Sequence, residues 1–405
     1  MKLLHTADWH LGHQLHGHDR HAEHQAFLDW LAATIAERRP DALLVAGDLF
    51  DTANPPASAW QQLYRFLARL RADHPALNIV LIGGNHDSPS KLDAPHELLR
   101  AFDLHLVGSV SRDSAGRLDI ERLLVPLRGS DGAVLAWCAA VPFLRSSDLR
   151  PAELAEGADR LVEGVRDIYR QVLEEGRRRA GDLPLIAMGH AYLARGQLSE
   201  LSERKVLGGN QHALPGDLFT GADYTALGHL HLAQQMGDKV HYSGSPLPLS
   251  LAEAEYRHQV LEVEFHGREA SVSRLMVPRA VEMIRLPEQT LDEALAAIAA
   301  LDLPECALAA RPFLEVRLLL PKPEARIRER VLAALEGKPV RLARIAPRYS
   351  GSGRELAAGA RVRLDEMSPE AVFRLCYQRQ FEGEPDDALL ASFNEMVQQV
   401  KEHEQ

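Results

Sequence analysis

The chain has 405 residues, 46% hydrophobic and 25% charged, which suits a globular protein of two or three domains with a sizeable core. A formal net charge of −11 provides no overall basic field, so any phosphate contact must come from a local basic surface or from bound metals. Cys138, Cys306 and Cys376 match neither a disulfide framework nor a zinc spacing, no leader is read in Met1-Lys2-Leu3-Leu4, and no apolar run reaches bilayer-spanning length; a reducing cytoplasm is the expectation.

In chain order, Lys2–Thr6 reads as a strand followed by the loop Ala7-Asp8-Trp9-His10. Asp19 is the expected N-cap of a helix to about Arg38, with Phe27, Leu28, Leu31 and Ile35 at helical spacing. Asp41–Ala46 is a second predicted strand, ending at Gly47-Asp48-Leu49-Phe50-Asp51. A predicted helix over Ser58–Ala72 follows Pro55-Pro56. The apolar run Ile79–Ile82 then leads into Gly83-Gly84-Asn85-His86-Asp87, where the glycines let the backbone turn sharply. This alternation of strands and helices predicts a layered α/β fold with crossover helices.

Leu104–Val107 and Val134–Val141 are predicted strands, and Ala152–Ala180 a long polar helix containing Arg177-Arg178-Arg179. Leu185–Met188 is a predicted strand ending at Gly189-His190, and Tyr224–Leu227 one ending at Gly228-His229-Leu230-His231. Val240–Ser243 and Val260–Phe265 complete this half. The clusters sit where strands stop, which is where layered α/β folds bind ligands. After about residue 275 the composition shifts. Helices over Leu291–Leu301 and Arg326–Leu335 and strands over Phe313–Leu320 and Val340–Ile345 predict a small α/β cap, residues 276–349. Residues 350–366 read as a linker and 367–405 as two terminal helices. The second helix carries Leu389, Leu390, Phe393, Met396, Val397 and Val400 in one stripe.

The five clusters are Asp8-x-His10, Gly47-Asp48, Asn85-His86-Asp87, Gly189-His190 and Gly228-His229-x-His231. With Asp87 set aside as a support, they supply two carboxylates, an amide and a group of imidazoles. Two divalent ions can be held by such a set if one carboxylate bridges them. Asp and His ligands with open positions suit Mn²⁺, Fe²⁺ or Zn²⁺, and without cysteine a closed structural zinc site is not expected. Two carboxylates against two dications leave a positive site that calls for an anion, naturally a phosphoryl group. The other histidines, His13, His16, His18, His21 and His24, have too little carboxylate among them for a defined site. Arg177-Arg178-Arg179 reads as a solvated helix face.

The ordered pattern Asp-x-His, Gly-Asp, Gly-Asn-His-Asp, Gly-His, Gly-His-x-His resembles the calcineurin-like metallophosphoesterase superfamily. The stretches His5-Thr6-Ala7-Asp8-Trp9-His10-Leu11-Gly12, Val45-Ala46-Gly47-Asp48-Leu49-Phe50-Asp51, Ala226-Leu227-Gly228-His229-Leu230-His231 and Tyr242-Ser243-Gly244-Ser245-Pro246 are similar, more closely, to the SbcD family of bacterial nuclease subunits. The resemblance extends over the cap and the terminal helices. It implies an αββα sandwich in which Asp8, His10 and His231 hold one metal, Asn85, His190 and His229 a second, and Asp48 both. It makes His86 the catalytic imidazole and Asp87 its hydrogen-bonded orienting partner. Two such metals would clamp a phosphodiester for in-line attack. Asp51 stands where some relatives outside the bacterial branch carry a second active-site histidine, and a structural role is expected for it.

The resemblance further implies Mn²⁺-dependent exonuclease action on duplex ends and endonuclease action on single strands and hairpins. It also implies a homodimer within an A₂B₂ complex with an SMC-like ATPase. This chain has no Gly-x-x-x-x-Gly-Lys-Ser/Thr loop, so ATP hydrolysis would be the partner's. Two other classes fit the core motifs. A small-molecule phosphodiesterase or protein phosphatase leaves the cap and terminal helices without a use. A non-catalytic scaffold has no need of an intact ligand set.

Overall fold

The computed structural model describes residues 1–149, 160–194, 214–321 and 326–349, with positions 324, 370, 373, 374, 377, 385, 389, 390 and 393. The expected linker 350–366, positions 152–159 of the long polar helix, and Met396, Val397 and Val400 of the terminal stripe lie outside the described residues.

Two six-stranded mixed sheets form the centre. The first runs in the order Glu269–Met276, Gln259–His266, Lys2–Thr6, Ala42–Ala46, Asn78–Ile82, Leu104–Val107. Its last four strands are parallel, with Leu3 opposite Ala42, Ala46 opposite Ile82 and Ile82 opposite Val107. The second runs Gln234–Met236, Val240–Tyr242, Tyr224–Gly228, Leu185–His190, Val134–Ala140, Leu124–Arg128. Parallel strands make it possible for several strand ends to share one edge of each sheet.

The strands are apolar throughout because both their faces are buried. Leu3, Ala42, Leu44, Ala46, Val80 and Ile82 face the second sheet and meet Cys138, Ile186, Met188, Tyr224 and Ala226. Their alternates Leu4, Leu43, Val45, Ile79 and Leu81 pack under the helices His21–Arg38 and Ala57–Asp73, on Phe27, Leu31, Ile35, Leu63, Phe66 and Leu70. On the far side, the helix Arg160–Ala180 covers the second sheet with Val165, Ile168, Tyr169, Val172 and Leu173. The layers are therefore helix, sheet, sheet, helix, as expected.

Several local expectations need correction. Arg20, not Asp19, is the N-cap of the first helix, and its buried guanidinium pairs with Glu23 (Nη2 to Oε2, 2.5 Å) and donates to the Pro248 carbonyl. Part of the histidine-rich run forms a hairpin, Gln14–Leu15 with His18–Asp19, whose turn places His16 and Gly17 at φ 50° and 83°. His24 is buried between the Arg20 and Trp9 carbonyls. The triple arginine is ion-paired: Arg177 to Asp223, Arg178 to Glu175, and Arg179 to Glu121 and Glu175. The strands Leu124–Arg128 and Glu269–Met276 were not anticipated. Both are edge strands, one interrupted by Pro126 and the other almost wholly exposed, so neither reads as a buried strand.

Residues 283–349 include a three-stranded sheet, Met283–Arg285, Phe313–Leu320 and Arg341–Tyr349, and the helices Leu291–Ala299 and Ile327–Ala334. Met1–Leu318 and Ile327–Ala346 form one compact unit. Within it Phe313 lies between the Arg20 and Arg341 guanidinium groups, 5.8 and 3.8 Å from its ring centre. Phe313 and Met283 also join Leu15, Leu251 and Ala254 in a small apolar cluster. In the second unit, Leu319–Arg326 with Pro347–Gln405, the rings of Phe373 and Phe393 stack 4.2 Å apart.

His5 is among the polar groups that bridge the two sheets. His5 is fully buried, with Nδ1 2.9 Å from the Tyr224 hydroxyl and Nε2 3.2 Å from the Leu227 carbonyl. The neutral ring is fully satisfied when Tyr224 donates to Nδ1 and Nε2–H donates to Leu227. A second proton, on Nδ1, would turn the Tyr224 oxygen into an acceptor and take from its O–H the nitrogen it donates to, and burial pushes the His5 pKa down to about 3. The unfolded ring titrates near 6.5, so the stability linked to His5 is complete above that pH and is lost as pH falls toward 3. Chemical denaturation from pH 7 to 4 is expected to show a pH slope shallower by up to about one proton in His5→Gln than in wild type.

Candidate metal centre

Each expected site residue stands at a strand end. Asp8 and His10 follow Lys2–Thr6, Asp48 follows Ala42–Ala46, and Asn85, His86 and Asp87 follow Asn78–Ile82. His190 closes its strand, and His229 and His231 follow Tyr224–Gly228. Asn85 is half-buried and the others are buried.

The loops are laced by backbone hydrogen bonds: Asp8 N to Gly47 O (3.0 Å), His10 N to Asp48 O (3.0 Å) and Leu11 N to Leu49 O (2.9 Å). Asp8, His10, Asp48 and His229 all adopt positive φ, from 47° to 98°. Such backbone is sparsely populated for these residue types and persists where the surroundings over-determine it. Two glycines permit the close approach. A Cβ on Gly84 would lie 2.1 Å from Asp48 Oδ1, and one on Gly228 would lie 1.9 Å from Ala46 O. Glycine is therefore required at both positions for steric reasons.

The side chains converge in two overlapping sets. Ligand atoms of Asp8, His10 and His231 lie within 4.8 Å of one another, as do those of Asp8, Asp48 and His190, and of His10, Asp48 and His86. Asn85 Oδ1 sits 2.9 Å from His190 Nε2 and 3.0 Å from His229 Nδ1. Asp48 Oδ2 lies 3.4 Å from His10 Nε2 and 3.4 Å from His190 Nε2, so this carboxylate stands between the His10 and His190 rings.

The groups behind these side chains were only partly foreseen. His190 Nδ1 donates to Ala46 O at 2.9 Å, which turns Nε2 toward Asp48 and Asn85. Asp51, for which a structural role was expected, has Oδ1 3.3 Å from His10 Nδ1. Glu253 was missed. It is fully buried, 22 residues from His231, and its Oε1 lies 3.0 Å from His231 Nδ1. Arg145 was also missed; its guanidinium donates to the Gly84 and Asp87 carbonyls at 3.2 and 2.9 Å and ties down both ends of the Asn-His loop. No motif marks either residue, since each contact joins segments far apart in the chain.

Asp87 has a different task from the one expected. Its carboxylate accepts the backbone N–H groups of Leu49 (3.0 Å), Phe50 (3.0 Å) and Gly84 (2.9 Å). The His86 ring is oriented instead by the Asp51 carbonyl, which accepts from Nδ1 at 2.6 Å, while His86 N donates to Asp48 Oδ1 at 2.9 Å. Asp87 is thus a clasp between two loops, and it acts on His86 through the backbone.

Electrostatics and hydrogen bonding together test whether a metal fits. Burial opposes charge on both His190 and Asp48, but their mutual attraction outweighs it. The His190 pKa rises to about 9 and Asp48 is held well below the usual carboxylate range. Burial, followed by the charge of His190, pushes His229 down to about 3. Both ring nitrogens of His10 are buried without a hydrogen-bond partner among the described residues. A donor set of carboxylate, imidazole and amide with orphaned buried nitrogens fits divalent cations, which bind the deprotonated forms and would displace the His190 proton.

Asp87→Ala would leave three buried N–H groups without their acceptor. It is expected to destabilise the fold by about 2–5 kcal/mol, checked by chemical denaturation of the metal-free protein.

Comparison with known proteins identifies the family. The family model described as calcineurin-like phosphoesterase matches residues 1–233. The model described as type 5 capsule protein repressor C-terminal domain matches residues 279–381. A relative from Rhodobacter capsulatus, named as the SbcD component of the nuclease SbcCD, is 41% identical over 93% of this chain and 94% of its own length. Proteins of the same name from Escherichia coli K12 and Bacillus subtilis 168 are 33% and 35% identical, over 92% and 70% of this chain and 92% and 72% of theirs. Near-full-length relatedness and a phosphoesterase match spanning every clustered ligand place this chain in the SbcD family of calcineurin-like metallophosphoesterases.

Proposed function

We propose that this chain is the nuclease subunit of an SbcCD-type complex, a divalent-metal phosphodiesterase acting as exonuclease on duplex DNA ends and as endonuclease on single strands and hairpins. The observation that carries the reading is the position of Asp48 between two ligand sets, with His86 beside it. Asp8, His10 and His231 would hold one ion, Asn85, His190 and His229 the other, and Asp48 would be shared. Mn²⁺ suits these ligands. Bound ions of this kind stabilise charge on a phosphoryl group and activate water for in-line attack.

The chain's own residues do the rest. Asp48, shared by both sets, fixes their spacing. The Asp51 carbonyl holds His86 through Nδ1, so Nε2 is the nitrogen that serves the phosphate, and the imidazolium form passes its Nε2 proton to the leaving oxygen and is left neutral. Asp87 and Arg145 hold the loop that carries Asn85 and His86. The strained backbone at Asp8, His10 and Asp48 keeps the ligands in place before substrate arrives.

The substrate reading uses the rest of the chain. The cap, 276–349, holds DNA over the centre, and the C-terminal segment 367–405 docks on an SMC-like ATPase. Two nuclease subunits and two ATPase subunits form the complex, in the cytoplasm; among the described residues no helix is long and apolar enough to cross a membrane. A groove lined by Tyr64, Leu67, Leu98, Leu99 and Phe102 supports the homodimer, with Leu98 63% and Phe102 53% exposed. A simple phosphodiesterase or phosphatase is the competing reading.

The deciding assay compares Mn²⁺-dependent turnover of hairpin DNA, single-stranded DNA and a chromogenic phosphodiester. Fast ester turnover beside inert DNA would favour the competing reading. His86→Ala is expected to lower cleavage by about 10²–10⁴-fold with metal content unchanged by elemental analysis; lost metal would remove its catalytic role. Leu98→Glu with Phe102→Glu is expected to yield monomers in light scattering, and a persistent dimer would locate the interface elsewhere.

A further inference from the structure

One histidine of the centre, His231, is hydrogen-bonded to a carboxylate, and His10 of the same ligand set has a carboxylate beside it without a hydrogen bond. His231 faces Glu253 at 3.0 Å and His10 faces Asp51 at 3.3 Å. In the other set, His190 is backed by the neutral Ala46 carbonyl, and the amide of Asn85 stands where a carboxylate would add charge. A carboxylate behind an imidazole fixes its tautomer and raises its basicity, and both effects strengthen the ring's hold on a cation.

We propose that Glu253 is a positioning residue for His231 that makes the Asp8–His10–His231 position the tighter of the two, and hence the first to fill. This rests on the metal reading above. Glu253 is fully buried and its Oε2 accepts Leu249 N at 2.7 Å, so the carboxylate is held in one orientation. It rides on a short 3₁₀ helix, Leu251–Glu255, whose Leu251 and Ala254 pack with Met283 and Phe313. Engaging Nδ1 of His231 makes Nε2 the ligating nitrogen. A carboxylate buried this deeply carries a desolvation cost, and a cation one imidazole away offsets it.

Glu253→Gln is the informative substitution because it keeps size and removes charge. If its amide oxygen keeps the Leu249 N–H, its NH₂ group donates to His231 Nδ1. The ring proton then moves to Nε2, where it blocks the ion. The experiment is a calorimetric Mn²⁺ titration of the full chain, with free Mn²⁺ followed by paramagnetic resonance.

Wild type is expected to bind two ions in unequal steps. Glu253→Gln should weaken the tighter step about 10–100-fold and leave the weaker one in place, whereas Asn85→Ala should lose the weaker step and keep the tighter. A tighter step unchanged in Glu253→Gln but lost in His231→Ala would overturn the inference and spare the metal reading. Both steps surviving His231→Ala would overturn the metal reading itself. Equal weakening of both steps, with a lowered melting temperature of the metal-free protein, would make Glu253 merely structural and overturn the inference. Should Glu253→Gln not fold, Glu253→Asp keeps the charge but withdraws it by one methylene. It should weaken the tighter step alone, and an unchanged tighter step would overturn the inference.

Discussion

The site depends on the fixed position of the Asp48 carboxylate. Its Oδ1 accepts the His86 N–H, and its Oδ2 faces His10 and His190 at 3.4 Å each. It therefore touches loops from both sheets. That position is available only because Gly84 has no side chain where Oδ1 sits, and because Gly228 lets its strand end close against Ala46. Any displacement of the sheets would separate the ligand sets that share this carboxylate. Inter-sheet packing and site geometry are thus one constraint.

Holding so much charge out of water is costly, and the fold compensates locally. Asp87 is clasped by three backbone N–H groups, yet burial and the neighbouring Asp48 still raise its pKa to about 6. Four expected ligands sit in left-handed backbone, at a cost of order 1–3 kcal/mol each. The apolar layers on both faces of the first sheet supply the offsetting stability. A rigid, strained cluster of this kind is what a metal centre requires, because ligands that relaxed onto one another would close the space for the ion.

The cap-side contacts reach the centre through a few residues. Phe313 stacks against Arg20 and Arg341, and the same ring packs with Leu251 and Ala254, which flank Glu253. Glu253 in turn meets His231. The hairpin Gln14–Asp19, four residues past His10, provides a second contact, with His18 Nε2 3.0 Å from the Leu342 carbonyl. Both routes end near His10 and His231, so the packing of residues 281–318 and 327–346 and the geometry around these two histidines are physically linked.

What the sequence determined by itself was the part written locally. Apolar runs buried on both faces marked the central strands, and ligand types at strand ends marked the centre, including Asp8, His10, Asp48, Asn85, His190, His229 and His231. The edge strand Leu104–Val107 was legible as an apolar run, whereas Glu269–Met276 was not, because it is almost wholly exposed. Only the tertiary structure decided which group stands behind each ligand. Asp87 looked like a partner for its neighbour His86, yet the ring turns to Asp51 and the carboxylate to the backbone of another loop. Glu253 and Arg145 carry no local signal at all, since their partners lie 22 and about 60 residues away. Hydrogen bonds across the fold depend on the meeting of two sheets, and no spacing along one chain encodes which atoms will face each other there.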